Sequence, residues 1–329
     1  MKKLSELIPE GIRTCAIAGH VNPDGDCAGS VTAVYQYIRK YRPEIDVTLY
    51  LERPADELMF LSGMEEIVSE TPVTERKDLF ISCDASSVDR IGVAENLFRE
   101  ANLRVCIDHH VSNPGFADVN VIDAEASSCA EVLCGMIDDR ELTKEIADSL
   151  FTGIIHDSGV FQYSNTRPET LRAAARLMEK GADCSRIIDE SFNMRSFRKQ
   201  RMLGKALGES RLCLDGQVIM TCVTEEDMKA EGADKRDLDG IVAEMRYTEG
   251  TQAAVFFYQT GPDEFKVSFR SNSDLDVSKI AASFGGGGHV RAAGCTLAGP
   301  LGESIEKVMD VLSGCLNKQV PAKPGAKVN

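Results

Sequence analysis

Histidine is the side chain that most often transfers protons or binds metals near neutral pH, and this chain has only five of them. Each histidine lies in a polar or glycine-rich stretch beside the end of a predicted strand or helix, whereas a random scatter would leave some on solvent-exposed faces. This placement indicates a shared chemical role for His20, His109, His110, His156 and His289.

The first motif is His-Val-Asn-Pro-Asp-Gly-Asp-Cys-Ala-Gly-Ser at 20–30. It follows an apolar strand, and its asparagine, proline and glycine are turn formers. His20, Asp24 and Asp26 can therefore fold around one point at the carboxyl end of a strand, where open α/β sheets bind ligands. The alternative is a turn with an aspartate helix cap, but three ligand-type side chains so close together favour metal coordination.

Further acidic and imidazole residues follow other predicted strands and helices. Asp84 ends an apolar strand and, taken alone, would be read as a helix cap. Asp108, His109 and His110 end the next strand, and Asp157 lies at the end of an apolar helical stretch. Parallel strands would bring these groups to one sheet edge.

The composition of this cluster predicts its metal. Carboxylates with a few imidazoles suit Mn²⁺, with Mg²⁺ as a poorer match. The eleven cysteines are odd in number and form no C-x-x-C pair, which argues against structural zinc and a disulfide framework. Six or more ligand groups are too many for one ion and predict two divalent cations, without which the carboxylates would repel one another.

The elements that must position these residues alternate between strands and helices. Apolar runs at 14–19, 46–51, 79–83 and 104–107 read as buried parallel strands. Helical patterns cover 30–41 and 54–62, and most of 139–155. The alternation predicts an α/β fold with an N-terminal doubly wound, mainly parallel sheet.

A second unit is predicted after a charged helical stretch. Strands at 211–214, 217–222, 252–259 and 265–270 mix with helices at 238–247, 277–284 and 304–312, which predicts a smaller mixed α/β domain. The expected organisation is a first domain at 1–186 that carries the candidate metal ligands, a connecting helix at 187–208, a second domain at 209–317 and a disordered tail at 318–329.

Charge and hydropathy limit the partners. The net charge is −15, whereas binding of a long duplex usually needs a broad basic surface. Short single-stranded oligonucleotides and dinucleotides remain open as ligands, and no duplex is expected. The sequence has no apolar run long enough to span a membrane and no signal-peptide core, so we expect a cytoplasmic protein. A homodimer is an open alternative.

Together the motifs resemble the DHH phosphoesterases, whose defining triplet is present as Asp108-His109-His110. The resemblance implies two Mn²⁺ ions per active site and a bridging role for Asp84. It implies catalytic roles for His110, as a phosphate or acid–base contact, and for Asp108, as its support. The implied metal ligands are His20, Asp24, Asp26, Asp84, His109 and Asp157. His156 stands where relatives commonly carry a small hydroxyl residue, and its role stays open between support, ligand and packing.

The run Phe-Gly-Gly-Gly-Gly-His-Val-Arg at 284–291 resembles the glycine-rich loop of the DHH-associated domain. Glycines allow close backbone approach to an anion, and a helix starting near His289 would add its positive end. The resemblance implies a substrate-binding set of Arg270, Ser271, Gly287, Gly288, His289 and Arg291. For Arg291 an exposed helix position is the alternative.

Within this family the chain is similar to bacterial nano-RNases. That similarity implies hydrolysis of short oligoribonucleotides to mononucleotides and of 3′-phosphoadenosine 5′-phosphate to AMP. The alternatives are a phosphodiesterase for linear di-adenylate and a non-catalytic nucleotide-binding sensor. Inorganic pyrophosphatase is disfavoured, because that enzyme lacks the glycine–histidine segment.

Overall fold

The computed structural model describes residues 2–70 and 76–316, so the predicted tail at 318–329 lies outside the described residues. The chain forms two compact units, Met1–Met194 and Arg195–Asn329. Within the described ranges, no helix combines the length and apolar character needed to cross a bilayer.

The N-terminal unit is built on a five-stranded sheet with the order β2-β1-β3-β4-β5. Every neighbouring pair is parallel, which confirms the predicted fold class. The apolar runs become strands because both faces of the sheet are covered by separate hydrophobic cores. The strands are β1 (Thr14–Ala18), β2 (Asp46–Tyr50), β3 (Leu79–Cys83), β4 (Leu103–Asp108) and β5 (Val119–Ile122).

Among the described residues of this unit, six α-helices pack around the sheet. Serine, threonine and aspartate side chains cap several of them, as expected for residues that accept hydrogen bonds from the first free N–H groups. The helices are α1 (Gly25–Tyr41), α2 (Glu95–Glu100), α3 (Cys129–Met136), α4 (Lys144–Asp157), α5 (Pro168–Glu179) and α6 (Cys184–Ile188).

Two N-terminal elements differ from the sequence-based expectation. The helix predicted at 54–62 is wrong, since only a 3₁₀ turn forms at Asp56–Leu58. Leu58 and Leu61 are buried three residues apart, a spacing that a 3₁₀ turn satisfies as well as an α-helix. The short edge strand β5 was not predicted, because its residues are only partly buried and its hydrophobic pattern is correspondingly weak.

The C-terminal unit has a six-stranded mixed sheet with the order β10-β11-β9-β8-β7-β6. β7 and β8 are parallel and the other pairs antiparallel. The strands are β6 (Arg211–Cys213), β7 (Val218–Val223), β8 (Ala253–Gly261), β9 (Glu264–Ser271), β10 (Gly287–His289) and β11 (Ala292–Ala298); the helices are α7 (Phe197–Gly208), α8 (Glu225–Ala230), α9 (Ile241–Met245), α10 (Val277–Ser283) and α11 (Leu301–Leu316).

The helix expected to start near His289 is wrong. His289 ends β10 and pairs with Ala292 of β11 in an antiparallel hairpin. Arg291 is therefore an exposed turn residue, not a helical one. The connecting segment at 187–208 is also interrupted, because it contains the end of α6, a π-helical turn at Asp189–Asn193 and α7.

Candidate metal centre and substrate-binding segment

The candidate metal centre lies at the carboxyl edge of the N-terminal sheet. β1 lies between β2 and β3, so the direction of strand addition reverses at β1, and ligands bind at such switch points in α/β sheets. His20 follows β1, Asp84 follows β3 and His109 follows β4. The parallel register brings all three to this edge.

The Asp84 carboxylate lies between two imidazoles. Its Oδ2 is 3.4 Å from Nε2 of His20, and its Oδ1 is 3.5 Å from Nε2 of His109. Asp84 is buried, and its Oδ1 accepts no hydrogen bond from the residues that the structure describes. A buried carboxylate oxygen without a donor is costly unless a cation satisfies it, so this residue fits a bridging metal ligand.

His20 and Asp24 form the group on one side of Asp84. Nε2 of His20 lies 3.6 Å from Oδ1 of Asp24, while its Nδ1 lies 2.8 Å from the carbonyl oxygen of Val21. Donation from Nδ1 to that carbonyl leaves Nε2 with a lone pair for a metal. Asp24 also caps α1 by accepting from the backbone N–H groups of Asp26 and Cys27, which fixes the turn.

Asp26, His109 and Asp157 form the group on the other side. Nε2 of His109 lies 3.2 Å from Asp157 Oδ2 and 3.8 Å from Asp26 Oδ2, and the ligand atoms of these three residues lie within 4.8 Å of one another. Asp26 is fully buried and accepts from the backbone N–H groups of Cys129 and Ala130 at 2.6 and 2.9 Å. The structure thus brings all six sequence-predicted ligand residues together.

The electrostatics of this cluster favour added positive charge. Burial, followed by the charges of Asp84 and Asp157, raises the pKa of Asp26 well above its usual range. Burial opposes protonation of the imidazoles, but neighbouring carboxylates outweigh it and raise the pKa of His20 to about 10 and that of His109 to about 11. Divalent cations held by neutral imidazoles and these carboxylates would supply the same compensating charge.

Asp108 and His110 form a hydrogen-bonded pair beside the cluster. The Asp108 carboxylate is buried and accepts from Nδ1 of His110 and from the backbone N–H of His109, both at 2.8 Å. Asn113, which the sequence reasoning missed, donates to the other Asp108 oxygen at 2.6 Å. Hydrogen bonding to Asp108 raises the pKa of His110. Its side chain is 40% exposed, against 15% for His109, so it is accessible to a substrate.

Cys27 is a second residue near the ligands that sequence reasoning missed. A ligand atom of Cys27 lies within 4.8 Å of those of His20 and Asp84. Burial and the charges of Asp84 and Asp24 raise the pKa of its thiol well above the usual range, and the sulfur accepts from the backbone N–H of His20. In the sequence, only the position of Cys27 directly after Asp26 could have indicated that it lies near the ligands.

His156 packs against the first motif. A Cβ added at Gly25 would lie 2.1 Å from the His156 ring, and the ring of Phe192 lies 5.5 Å away on another side. Nε2 of His156 is buried and has no hydrogen-bond partner among the described residues. His156 therefore packs against the turn that carries Asp24 and Asp26, and among the described residues it is in none of the candidate ligand groups.

The predicted substrate-binding residues of the C-terminal unit gather at the end of β9. Arg270 pairs with Ala292 in the sheet register, His289 pairs with the same alanine from β10, and the Ser271 N–H donates to the carbonyl of Arg291. Arg270 is half-buried, whereas His289 and Arg291 are exposed. Ser271 is buried, and its hydroxyl bonds to the backbone of Ser273, so it shapes the turn.

The glycines of the hairpin allow close strand contact. A Cβ at Gly288 would lie 2.5 Å from the carbonyl oxygen of Ala292, and one at Gly286 would lie 2.2 Å from that of Gly294. Gly288 also has φ 141°, which side chains rarely adopt. A Cβ added at Gly287 would meet nothing within 4 Å. The run therefore closes the hairpin against β11 and presents Gly287 to solvent.

Comparisons with known proteins identify relatives of both units. The family model described as "DHH family, N-terminal domain" matches residues 14–154, and the DHHA1 domain model matches residues 215–318. A Thermus thermophilus protein named bifunctional oligoribonuclease and PAP phosphatase NrnA is 32% identical, with 95% of this chain and 93% of that protein covered. A Bacillus subtilis protein of the same name is 25% identical, with 86% and 89% covered.

A solved structure supports the fold. An exopolyphosphatase-related protein from Bacteroides fragilis superimposes with a TM-score of 0.81 at 23% identity, covering 95% of this chain and 96% of that one. At that identity the likeness concerns the fold alone. The family models, the Thermus relative and the Asp108-His109-His110 triplet together show that the chain belongs to the DHH family.

Proposed function

We propose that this DHH-family protein is a metal-dependent phosphoesterase. In this proposal it hydrolyses short oligoribonucleotides to mononucleotides and 3′-phosphoadenosine 5′-phosphate to AMP. The names of the Thermus and Bacillus relatives, which cover nearly the whole chain, support this substrate class. The acidic surface, with its net charge of −15, fits short ligands better than a duplex.

The observation that carries the proposal is the position of Asp84. Its two oxygens face the metal-binding nitrogens of different histidines at 3.4 and 3.5 Å, as expected of a carboxylate shared by two cations. We assign His20 and Asp24 to one cation, Asp26, His109 and Asp157 to the other, and Asp84 to both.

We assign Mn²⁺ to the centre, with Mg²⁺ as a substitute, because carboxylates dominate and imidazoles contribute. Two bound cations would supply a water of lowered pKa and neutralise charge on the phosphoryl group. His110 contacts that phosphate, and Asp108 holds its Nδ1–H so that Nε2 is left to exchange a proton with substrate. We assign the proton to Nδ1 of the His110 ring because that nitrogen is hydrogen-bonded to Asp108.

The C-terminal unit supplies the proposed substrate contacts. Arg270, His289 and Arg291 offer positive or hydrogen-bonding groups, Gly287 and Gly288 allow close backbone approach, and Ser271 holds the turn between them. We propose that residues 1–186 carry out catalysis, that residues 187–208 connect the two domains and that residues 209–317 bind substrate.

Linear di-adenylate is a second substrate that the same residues could accept, although the names of the relatives do not favour it. A purely sensory role is disfavoured because each ligand position carries an intact side chain. The deciding experiment incubates the purified chain and Mn²⁺ with RNAs of three to five residues, linear di-adenylate and 3′-phosphoadenosine 5′-phosphate. We expect turnover of the RNAs and the bisphosphate; turnover of neither would refute the proposal, and exclusive turnover of linear di-adenylate would replace it.

A further inference from the structure

The turn between α9 and β8 lies at the same edge of the C-terminal sheet as the Arg270–Ser271 segment. β8 begins at Ala253, which pairs with Ser271 at the end of β9. Asn272, the next residue, joins the two segments, because its backbone N–H donates to the carbonyl of Gln252 at 2.9 Å and its side-chain amide donates to the carbonyl of Arg246. The turn at 246–252 is thus a direct neighbour of the predicted substrate contacts.

Arg246 and Tyr247 form a cation–aromatic pair on this turn. The guanidinium carbon lies 5.0 Å from the centre of the tyrosine ring, and Nη2 donates to the tyrosine oxygen at 3.2 Å. Tyr247 remains 64% exposed. Among the described residues, Arg246 makes no ion pair with a carboxylate, although the chain as a whole carries a large acidic excess.

The backbone under this pair is well fixed. The N–H groups of Tyr247 and Thr248 donate to the carbonyls of Glu244 and Met245 at 3.0 and 3.1 Å. The hydroxyl of Thr251 closes the turn by donating to the carbonyl of Thr248 at 2.8 Å. A ring presented on such a turn loses little further conformational entropy when a ligand binds.

We propose that Tyr247, backed by Arg246, is a stacking platform for a nucleobase of the substrate; this inference rests on the proposed nucleotide function. An exposed tyrosine alone needs no explanation. Here the ring sits on a hydrogen-bonded turn, one side lies by an arginine that pairs with no carboxylate among the described residues, and the turn adjoins the segment assigned to substrate. Exposed aromatic rings and arginines bind unstacked bases in this way, independently of base sequence. The chain has no tryptophan, so tyrosine is the polar aromatic residue available.

The test compares Tyr247→Leu and Tyr247→Phe in the full-length chain. Leucine keeps apolar volume and removes the ring, whereas phenylalanine keeps the ring. Tyr258→Leu is the matched control, because Tyr258 also pairs with a cation, Lys266 at 5.9 Å, on the same sheet but further along β8. Each protein is assayed with Mn²⁺ on 5′-phosphorylated di-adenylate and on the same backbone without bases.

We expect Tyr247→Leu to raise KM for di-adenylate between about fivefold and a hundredfold, with a smaller fall in kcat, and Tyr247→Phe to restore the KM. On the base-free substrate the difference between wild type and Tyr247→Leu should disappear. An unchanged KM for di-adenylate in Tyr247→Leu, or an equal loss on the base-free substrate, overturns the platform. Wild-type protein inert on every nucleotide would instead overturn the proposed function.

Discussion

At the scale of single residues, Asp84 combines backbone strain with a central position. It follows β3 with φ 55°, in the left-handed region that few residues other than glycine, asparagine and aspartate adopt. Strained residues persist where the surrounding structure holds them, often at functional sites. The chain keeps this conformation at a carboxylate that faces both His20 and His109.

Asp84→Asn tests the shared carboxylate without disturbing the backbone, since asparagine tolerates the left-handed region. The change removes the negative charge between the two groups of ligands. We expect activity with Mn²⁺ to fall by about a thousandfold or more, equivalent to roughly 4 kcal/mol of transition-state stabilisation. Initial rates on di-adenylate measure the loss.

Asp123→Asn is the control for that change. Asp123 follows β5 at the same sheet edge, its side chain accepts from the backbone N–H of Glu125, and among the described residues it belongs to none of the candidate ligand groups. The activity of Asp123→Asn should stay within about twofold of wild type, because the substitution removes no ligand of the proposed metal centre. Comparable rates in Asp84→Asn and Asp123→Asn would rule out the shared-carboxylate role.

Asp157→Asn tests the repulsion between the clustered carboxylates. Burial and the charge of Asp84, opposed in part by His109, raise the pKa of Asp157. A carboxyl whose pKa is raised by folding lowers the free energy of unfolding as pH rises through that pKa, and the loss persists above it. At pH 8 in a chelator, the variant should therefore have a higher melting temperature than wild type. Each kcal/mol of unfolding free energy gained corresponds to an increase of about 2–4 °C.

The same variant should gain less from Mn²⁺, because it lacks a ligand oxygen. Melting curves recorded with chelator and with Mn²⁺ give both quantities. A variant that melts lower than wild type in chelator, yet shows the full increase with Mn²⁺, would contradict the assignment of Asp157.

At the scale of elements, Gly25 at the start of α1 packs against the ring of His156 near the end of α4. A Cβ at Gly25 would lie 2.1 Å from the His156 ring, so Gly25→Ala must displace either the ring or the turn that carries Asp24 and Asp26. We expect Gly25→Ala to lower the unfolding free energy by about 1–3 kcal/mol, as overpacking does, and to weaken Mn²⁺ binding.

His156→Ala should relieve this clash when combined with Gly25→Ala. A double-mutant cycle on unfolding free energy and on Mn²⁺ affinity by calorimetry measures the coupling. We expect the double variant to be more stable than Gly25→Ala alone. Additive losses in the two single variants would show that the contact does not hold the turn.

The helices and strands also show how much of the fold can be predicted from the sequence. Buried strands β1, β3 and β4 were predicted because continuous apolar runs are strong signals, and the ligands that follow them converge as parallel pairing requires. The hairpin of β10 and β11 was missed because four glycines carry no hydrophobic pattern. Asn113 and the His156 contact were also missed, because hydrogen bonds and packing between distant segments leave no local pattern.

At the scale of the whole molecule, the acidic surface limits which nucleic acids bind. With a net charge of −15 and a few local cations, the protein should neutralise only one or two phosphates. Single-strand counterion release then predicts that KM for di-adenylate rises at most about tenfold between about 50 and 200 mM salt. Duplex-like dependence, of about a thousandfold or more over that range, would indicate an unrecognised extended binding surface.

The central claim is that a pair of divalent cations sits at the carboxyl edge of the N-terminal sheet, one on each side of Asp84. Anomalous diffraction from a manganese-soaked crystal tests it directly. We predict two manganese peaks, one within coordination distance of His20 and Asp24 and the other of Asp26, His109 and Asp157, with Asp84 touching both. A single peak that leaves one group of ligands unbound, or no peak at this edge, would contradict the claim.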